Sequence, residues 1–383
     1  MKKFLIILCL SFAFMMNVNA EDLKLAEKAK SSVLIEATTG EVIHESNSHE
    51  RYAPASMTKI MSLIIIMEEI EKGNLKLDEK IKVSQNASSM GGSQIYLEPG
   101  EEMSVNDLLK GICVGSANDA VVALAERISG TEQAFVFKMN ERAKKLGLKD
   151  TNFKNATGLD EANHYSTAYD MAMMGRELIR HKKILEYSGI YETYLRQDTN
   201  KKFWLVNTNK LIKTYEGMDG LKTGYTKEAG YCLTATAKKK DMRLIGVIMG
   251  EETSAKRNEE MTKMLDYGFN LYGVEKFLNK NTKVGSLNND KSKNGKVSIV
   301  PTQDVNILNK KGNSKRSMTY KLKLTNETLP LKKGDVVGKI EIYEKNKKMY
   351  DINATVNENV EKANIIELFL RNIEDVFKGE NII

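Results

Sequence analysis

The stretch Ala53-Pro54-Ala55-Ser56-Met57-Thr58-Lys59, running on into Ile60-Met61-Ser62-Leu63-Ile64-Ile65-Ile66-Met67, decides how the rest of the chain is read. Pro54 presets the backbone for the start of a helix, so Ser56 is expected on the first turn with Lys59 three residues on, on the same face. A hydroxyl and an amine are then held side by side. Ile60, Leu63, Ile64 and Met67 recur at helical spacing and predict a buried face that makes the pair rigid and partly desolvated. A serine nucleophile with a lysine base requires that environment. Taken alone, Ser56 reads as well as a helix cap and Lys59 as a solvated helix residue.

Working outward, residues 1–20 carry Lys2 and Lys3, an apolar run from Phe4 to Met16, and then Val18-Asn19-Ala20. This reads as a secretory signal peptide cleaved after Ala20, with a core too short for a stable membrane span. The mature chain is therefore expected outside the cytoplasm. Cys9 lacks the small preceding residue of a lipoprotein cleavage site, so no lipid anchor is read. Cys113 and Cys232 stand alone without C-x-x-C spacing and read as small core residues, with a single disulfide as the minor alternative. His44, His49, His164 and His181 show no ligand spacing, so neither a metal nor another cofactor is expected.

With 383 residues and 41% hydrophobic content, the chain is long enough for two globular domains. Charge helps to place the division, because residues 276–360 hold 18 Lys and Arg against 8 Asp and Glu. The simple reading is a solvated Lys-rich surface, and the functional one is attraction to anionic wall polymer or lipid headgroups. Four segments are predicted: the signal peptide 1–20, a catalytic domain 21–275, a small β-sandwich 276–360 and an amphipathic helix 361–383.

Periodicity fills in these segments. Residues 32–37 and 41–44 predict a β-hairpin ahead of the Ser56 helix. Residues 88–93, Ser-Ser-Met-Gly-Gly-Ser, read as a loop suited to a cleft rim. Helices are expected over 104–112, 118–128, 131–146 and 167–180, the third closed by Gly147 and the last capped by Thr167 or Asp170. From Met218 the period changes to that of strands, through 221–225, 231–237 and 243–249, and a helix over 257–272 closes the domain. These strands and the first hairpin should share one antiparallel sheet with helices packed around it. The second domain alternates in short strands such as 296–300, 320–324 and 337–342. The final segment places Ile365, Ile366, Phe369, Leu370, Ile373, Val376 and Phe377 on one face, which predicts packing on the sandwich or lying in a membrane interface.

Three short motifs follow one another: Ser56-x-x-Lys59, Ser116-x-Asn118 and Lys222-Thr223-Gly224. The first and third occur once each, whereas S-x-N begins at Ser84, Ser104, Ser116, Ser286 and Ser292. What selects Ser116 is its short connection between two helices, placed between the other two motifs. In this order the motifs are the general pattern of penicillin-binding proteins and class A β-lactamases. The chain resembles the penicillin-binding serine D-alanyl-D-alanine carboxypeptidases of low molecular weight. The likeness extends to 219–226 with Ala229-Gly230-Tyr231, to 164–172, and to Gly334-Asp335-Val336-Val337-Gly338.

The resemblance implies an α+β fold, an antiparallel sheet flanked by helices, followed by the β-sandwich and the C-terminal helix. It implies that Ser56 attacks the carbonyl between the two terminal D-alanines of a peptidoglycan stem peptide and that Lys59 takes its proton. Ser116 would pass a proton to the leaving D-alanine, and Asn118 would hold Lys59 and the substrate amide. The backbone N–H groups of Ser56 and Tyr225 would form an oxyanion hole, each donor typically worth roughly 3 to 4 kcal/mol. Lys222 and Thr223 would bind the terminal carboxylate, and Gly224 would let substrate lie along the strand. β-Lactams are the expected inhibitors, the membrane surface is the expected support for the C-terminal helix, and nucleic acid is not an expected partner.

Two departures from the family pattern bear on this. Some members carry an arginine in an Asn-x-Asn segment before K-T-G, where this chain has Asn207-Thr208-Asn209. The middle motif is S-A-N, Ser116-Ala117-Asn118, where the pattern has S-D-N, and no E-x-x-L-N lies between it and the third motif to supply the deacylating glutamate of a class A β-lactamase, so efficient antibiotic hydrolysis is not expected. The alternatives are a D,D-endopeptidase that cuts cross-links and a non-catalytic penicillin-binding sensor or scaffold.

Overall fold

A computed structural model describes residues 25–378 apart from 294, so the expected signal peptide lies outside the described residues. Its first unit is an antiparallel five-stranded sheet. Strands β1 (Ser31–Glu36) and β2 (Val42–Ser46) form the hairpin, and β3 (Met218–Thr226), β4 (Gly230–Lys239) and β5 (Met242–Glu251) return about 170 residues later. Their order is β2-β1-β5-β4-β3. Val33 faces Val247 across the β1/β5 pair, which places the start of the unit beside its end.

Side chains sort by the period of two. Val33, Ile35, Ile245, Val247 and Met249 face one core, while Leu34, Leu244 and Ile248 face another. The second core lies under a helix, Ser254–Leu271, which supplies Met261, Met264 and Leu265. Gly246 lets it approach closely, since a Cβ there would fall 2.6 Å from Met261 Sδ.

On the other face lies α1 (Lys59–Glu71). The sequence predicts one buried stripe, but every residue from Lys59 to Met67 is buried. Helix α1 is therefore the axis of the domain, surrounded by α2 (Val105–Gly115), α3 (Asn118–Ser129), α4 (Glu132–Leu146) and α5 (Ala168–Leu178), and an apolar run without a polar side suits such a position. Thr131 and Thr167 cap α4 and α5 by accepting from Ala134 N and Asp170 N, and Gly147 closes α4 at φ +75°. Cys113 and Cys232 are both free and buried.

Two small hairpins were not apparent from periodicity. Lys80–Lys82 pairs with Glu102–Ser104, and Glu192–Leu195 pairs with Phe203–Val206. After Leu271 the chain passes directly into a strand, Tyr272–Leu278, which pairs with Val305–Lys310. A further five-stranded sheet runs in the order Gly285–Asn288, Lys296–Pro301, Lys347–Val356, Val336–Glu344, Met318–Leu324, around Val297, Ile299, Val337, Ile340, Ile342 and Val356. The last described element is the helix Ile365–Lys378.

Candidate active site

Ser56 lies on a single 3-10 turn, Ala55–Thr58, and the α-helix proper starts only at Lys59. Ala55 is held at φ +47°, a left-handed conformation uncommon for a residue with a Cβ. The turn is held from two sides. Gly224 of β3 packs against it so closely that a Cβ would lie 2.9 Å from Pro54 O and 3.2 Å from Ser56 N. On the other side sits Gly158, at φ +86°, where a Cβ would lie 1.9 Å from Ala55 O. The absence of a side chain at Gly224 thus serves contact with the serine turn, a reason the strand pattern does not reveal.

Lys59 Nζ is 2.7 Å from Ser56 Oγ and donates to Thr157 O, also at 2.7 Å. Burial, and after it the charge of Lys222, hold its pKa well below the usual lysine range, against a smaller opposing pull from Asp119. A neutral amine keeps two N–H donors and one lone pair, which suits donation to Thr157 O and acceptance from the Ser56 hydroxyl. Thr157 O is positioned by Asn155, whose Oδ1 accepts from Thr157 N at 3.2 Å and from Gly158 N at 2.7 Å. Asn155-Ala156-Thr157-Gly158 has the composition of a tight turn, but nothing in its sequence says that the turn faces a lysine.

Beneath the turn, His164 stands 2.8 Å from Thr58 Oγ1, and its Nδ1 accepts from Lys154 N at 3.1 Å. Because a backbone N–H can only donate, Nδ1 is unprotonated and Nε2 carries the hydrogen given to Thr58. Burial lowers this imidazole to about 4, in keeping with the neutral form.

Ser116 caps α2 in a left-handed conformation, φ +63°, and is buried at the neck between α2 and α3. Asn118 does not hold Lys59, whose hydrogen bonds go to Ser56 and Thr157. Its Nδ2 donates to Gly91 O at 2.6 Å and its N–H to Ser93 O at 2.7 Å, so residues 91–93 form a rim braced by the middle motif. Asn118 Oδ1 is buried and unpartnered among the described residues, a free acceptor for an incoming amide.

β3 ends the sheet, so its outer edge has no strand partner among the described residues. Lys222 is buried, with its pKa lowered by burial to about 7, and its Nζ donates to Thr223 O at 3.0 Å. The neighbouring Cys113 thiol is pushed by burial up to about 12 and is therefore neutral. Thr223 Oγ1 donates to Thr208 Oγ1 at 2.7 Å. Thr208, which stands where some family members have arginine, thus adds a second hydroxyl beside the third motif. Tyr225 is 55% exposed and leans on Tyr231, ring centroids 4.3 Å apart. The three motifs, more than 160 residues apart at their extremes, therefore converge on one neck beside Ser56.

Comparison with known proteins gives a consistent picture. The family model for D-alanyl-D-alanine carboxypeptidase (Peptidase_S11) matches residues 15–253, and that for the penicillin-binding protein 5 C-terminal domain matches 272–362. The D-alanyl-D-alanine carboxypeptidase DacF of Bacillus subtilis is 48% identical over 92% of this chain and 91% of its own. Penicillin-binding protein 5 of Haemophilus influenzae superposes with a TM-score of 0.70 at 31% identity, covering 88% of this chain and 98% of its own. Penicillin-binding protein D2 of Listeria monocytogenes, solved in a cefotaxime-bound form, gives a TM-score of 0.58 at 32% identity over 63% of this chain and 97% of its own.

Proposed function

Because this chain belongs to the D-alanyl-D-alanine carboxypeptidase family of penicillin-binding serine hydrolases, we propose that Ser56 is the nucleophile that removes the terminal D-alanine from peptidoglycan stem peptides. The observation that carries this reading is the 2.7 Å contact between Ser56 Oγ and a buried, easily neutralised Lys59. Lys59 accepts the hydroxyl proton as Oγ attacks the carbonyl between the two D-alanines. The oxyanion is received by the Ser56 and Tyr225 N–H groups, a role supported by the close seating of Gly224 on the serine turn. Collapse breaks the amide bond, and Ser116 passes the proton to the leaving amine. Water then cleaves the Ser56 ester.

Substrate placement divides among three groups. Asn118 Oδ1 accepts from a peptide N–H, while Lys222 and the paired hydroxyls of Thr223 and Thr208 take the terminal carboxylate. A β-lactam carries a carboxylate and a strained amide in place of the D-alanyl-D-alanine end, so it acylates the same serine. Incubation with a pentapeptide ending in D-alanyl-D-alanine should release free D-alanine, and Ser56→Ala should lower the rate by at least about 10³-fold. Penicillin acylation at Ser56 with no peptide cleavage would reject the carboxypeptidase in favour of a sensor.

For location, the reading is extracytoplasmic, on the outer face of the membrane. It is supported by the charge and hydropathy of residues 1–20 and by the exposure of Ile365, Ile366, Phe369 and Leu370 on the last helix, between 58% and 85%. Among the described residues no helix is long and apolar enough to cross a membrane, so the helix would lie in the interface. Mature protein ending at Val360 should lose co-sedimentation with anionic liposomes, and undiminished binding would dismiss the anchor.

A further inference from the structure

At the end of α1 remote from Ser56, the ends of two helices bring three carboxylates and an imidazole together. Glu68 and Glu71 leave the last turn of α1, Glu177 leaves the last turn of α5, and His181 follows in the turn where its N–H donates to Leu178 O at 3.1 Å. One oxygen each of Glu68 and Glu177 and a ring nitrogen of His181 lie within 4.8 Å of one another. Glu68 stands roughly 14 Å along α1 from Lys59, so this cluster is separate from the catalytic neck. Histidine spacing in the sequence does not reveal such a set, because its members come from two helices.

His181 is only 8% exposed. Its Nδ1 lies 2.9 Å from Glu71 Oε2, while Nε2 is buried without a hydrogen-bond partner among the described residues. A neutral imidazole that donates through Nδ1 keeps its lone pair on Nε2, and a buried lone pair with nothing to accept from is rare. Arg142 fixes the two carboxylates beside it: its Nε donates to Glu68 Oε1 and its Nη2 to Glu177 Oε1, both at 2.6 Å. That leaves the second oxygen of each. Glu177 Oε2 accepts from Arg180 Nη1 at 3.2 Å, but the Arg180 side chain is 66% exposed and can turn into solvent. Against the single charge of Arg142, the carboxylates of Glu68, Glu71 and Glu177 hold two negative charges in excess.

We propose that Glu68, Glu177 and His181 hold a divalent transition-metal ion, zinc fitting best, with Glu71 as the positioning residue that orients the imidazole. One imidazole nitrogen with two carboxylate oxygens is a donor set for zinc and leaves a fourth position for water, whereas calcium takes oxygen alone. A carboxylate on the far ring nitrogen fixes the tautomer and makes the metal-facing nitrogen more basic, and Glu71 occupies that place. Tetrahedral ligands about 2.1 Å from zinc lie roughly 3.4 Å apart, so the three atoms close by at most about 1.4 Å, a change that glutamate rotamers supply. The ion ties the end of α1 to the end of α5 and lies outside the proposed acyl transfer.

The test reads metal binding directly, so its outcome is independent of the carboxypeptidase reading. The purified chain, stripped of metal with a chelator that is then removed, is titrated with Zn²⁺ by calorimetry and, in parallel, with Ca²⁺. One zinc ion should bind per chain, and its affinity should exceed that for calcium. Glu71→Gln should weaken zinc binding by about 10- to 100-fold, and His181→Ala and Glu177→Gln by more. His49→Gln, at an exposed histidine, should change nothing. Thermal melts in chelator show which variants are folded, and Glu177→Gln, which keeps the side-chain volume, serves where His181→Ala is not. Zinc should raise the thermal midpoint of the parent but not of His181→Ala or Glu177→Gln. With Co²⁺ as probe, the visible absorption of the bound ion should appear in the parent and be lost with either substitution. No saturable zinc binding by the parent would overturn the site, as would zinc binding undiminished in folded His181→Ala or Glu177→Gln. Calcium bound as tightly as zinc would overturn the role of the imidazole nitrogen.

Discussion

Lys59 and Lys222 share one buried neck, and in the proposed roles of base and carboxylate binder their protonation sets how activity depends on pH. Burial first, and then the charge of Lys222, lower the pKa of Lys59, so a charged Lys222 favours the neutral amine that the proposed mechanism needs. kcat/KM for a D-alanyl-D-alanine peptide should therefore rise as Lys59 deprotonates and fall as pH climbs through about 7, where Lys222 becomes neutral. Lys222→Gln should abolish the falling limb, shift the rising limb to higher pH and reduce kcat/KM by about 10- to 100-fold. A falling limb that survives the substitution would exclude Lys222 as its source. His164 makes a separate claim on stability. Its folded pKa of about 4 lies below the usual 6.5, so its contribution is complete above 6.5 and is lost as pH falls toward 4. The loss amounts to at most roughly 3 kcal/mol, and His164→Gln should flatten this part of the thermal midpoint profile relative to the parent. Ser56, Lys59, Ser116 and the third motif were legible in sequence because their residue types and order specify a chemistry. Thr157 was not, because it acts through a backbone carbonyl that every residue possesses.

At the scale of elements, β3 and the serine turn are a single mechanical unit joined at Gly224. Adding a methyl group there forces a shift of a few tenths of an ångström between the strand and the turn that carries Ser56. Gly224→Ala should lower the β-lactam acylation rate by about 10- to 100-fold and stability by about 1–3 kcal/mol. Stopped-flow acylation and thermal melts check the two parts, and acylation at the parent rate would show that the turn yields freely. The long periodic elements were readable because their apolar spacing exceeds a full turn or several alternations. The hairpin Glu192–Leu195/Phe203–Val206 was not, because four-residue strands offer only two inward positions each, and Leu195 and Leu205 alone carry no period. The buried circumference of α1 was also hidden, since one sequence stripe cannot tell how many neighbours a helix will have.

Across the whole molecule, the two sheets are fastened by Arg316. Its guanidinium donates to Glu41 beside the first hairpin, at 2.7 and 3.0 Å, and to Glu344 of the second sheet, at 2.9 and 3.0 Å. Burial raises the pKa of Glu41, with Arg316 opposing this, so removing the arginine leaves a half-buried carboxylate without its cation. Arg316→Met should cost about 1–3 kcal/mol, discounted for partial exposure. It should divide one calorimetric transition into two, while D-alanine release from a free pentapeptide stays at the parent rate. Glu41→Gln on top should restore part of the loss, and a single transition in Arg316→Met would show that other contacts hold the units together. Charge imbalance indicated a second unit in the sequence, but a salt bridge spanning 275 residues leaves no local trace.

The hold of Thr157 on Lys59 carries a pharmacological consequence. Inhibitor resistance is commonly sought among side chains that touch a drug, yet Lys59, the proposed base, is held beside Ser56 by a peptide oxygen in a turn fixed by Asn155. A clinical variant in that turn would change how fast the drug reacts while leaving its fit unaltered. Surveillance by binding affinity would pass over such a variant, whereas surveillance by acylation rate would detect it.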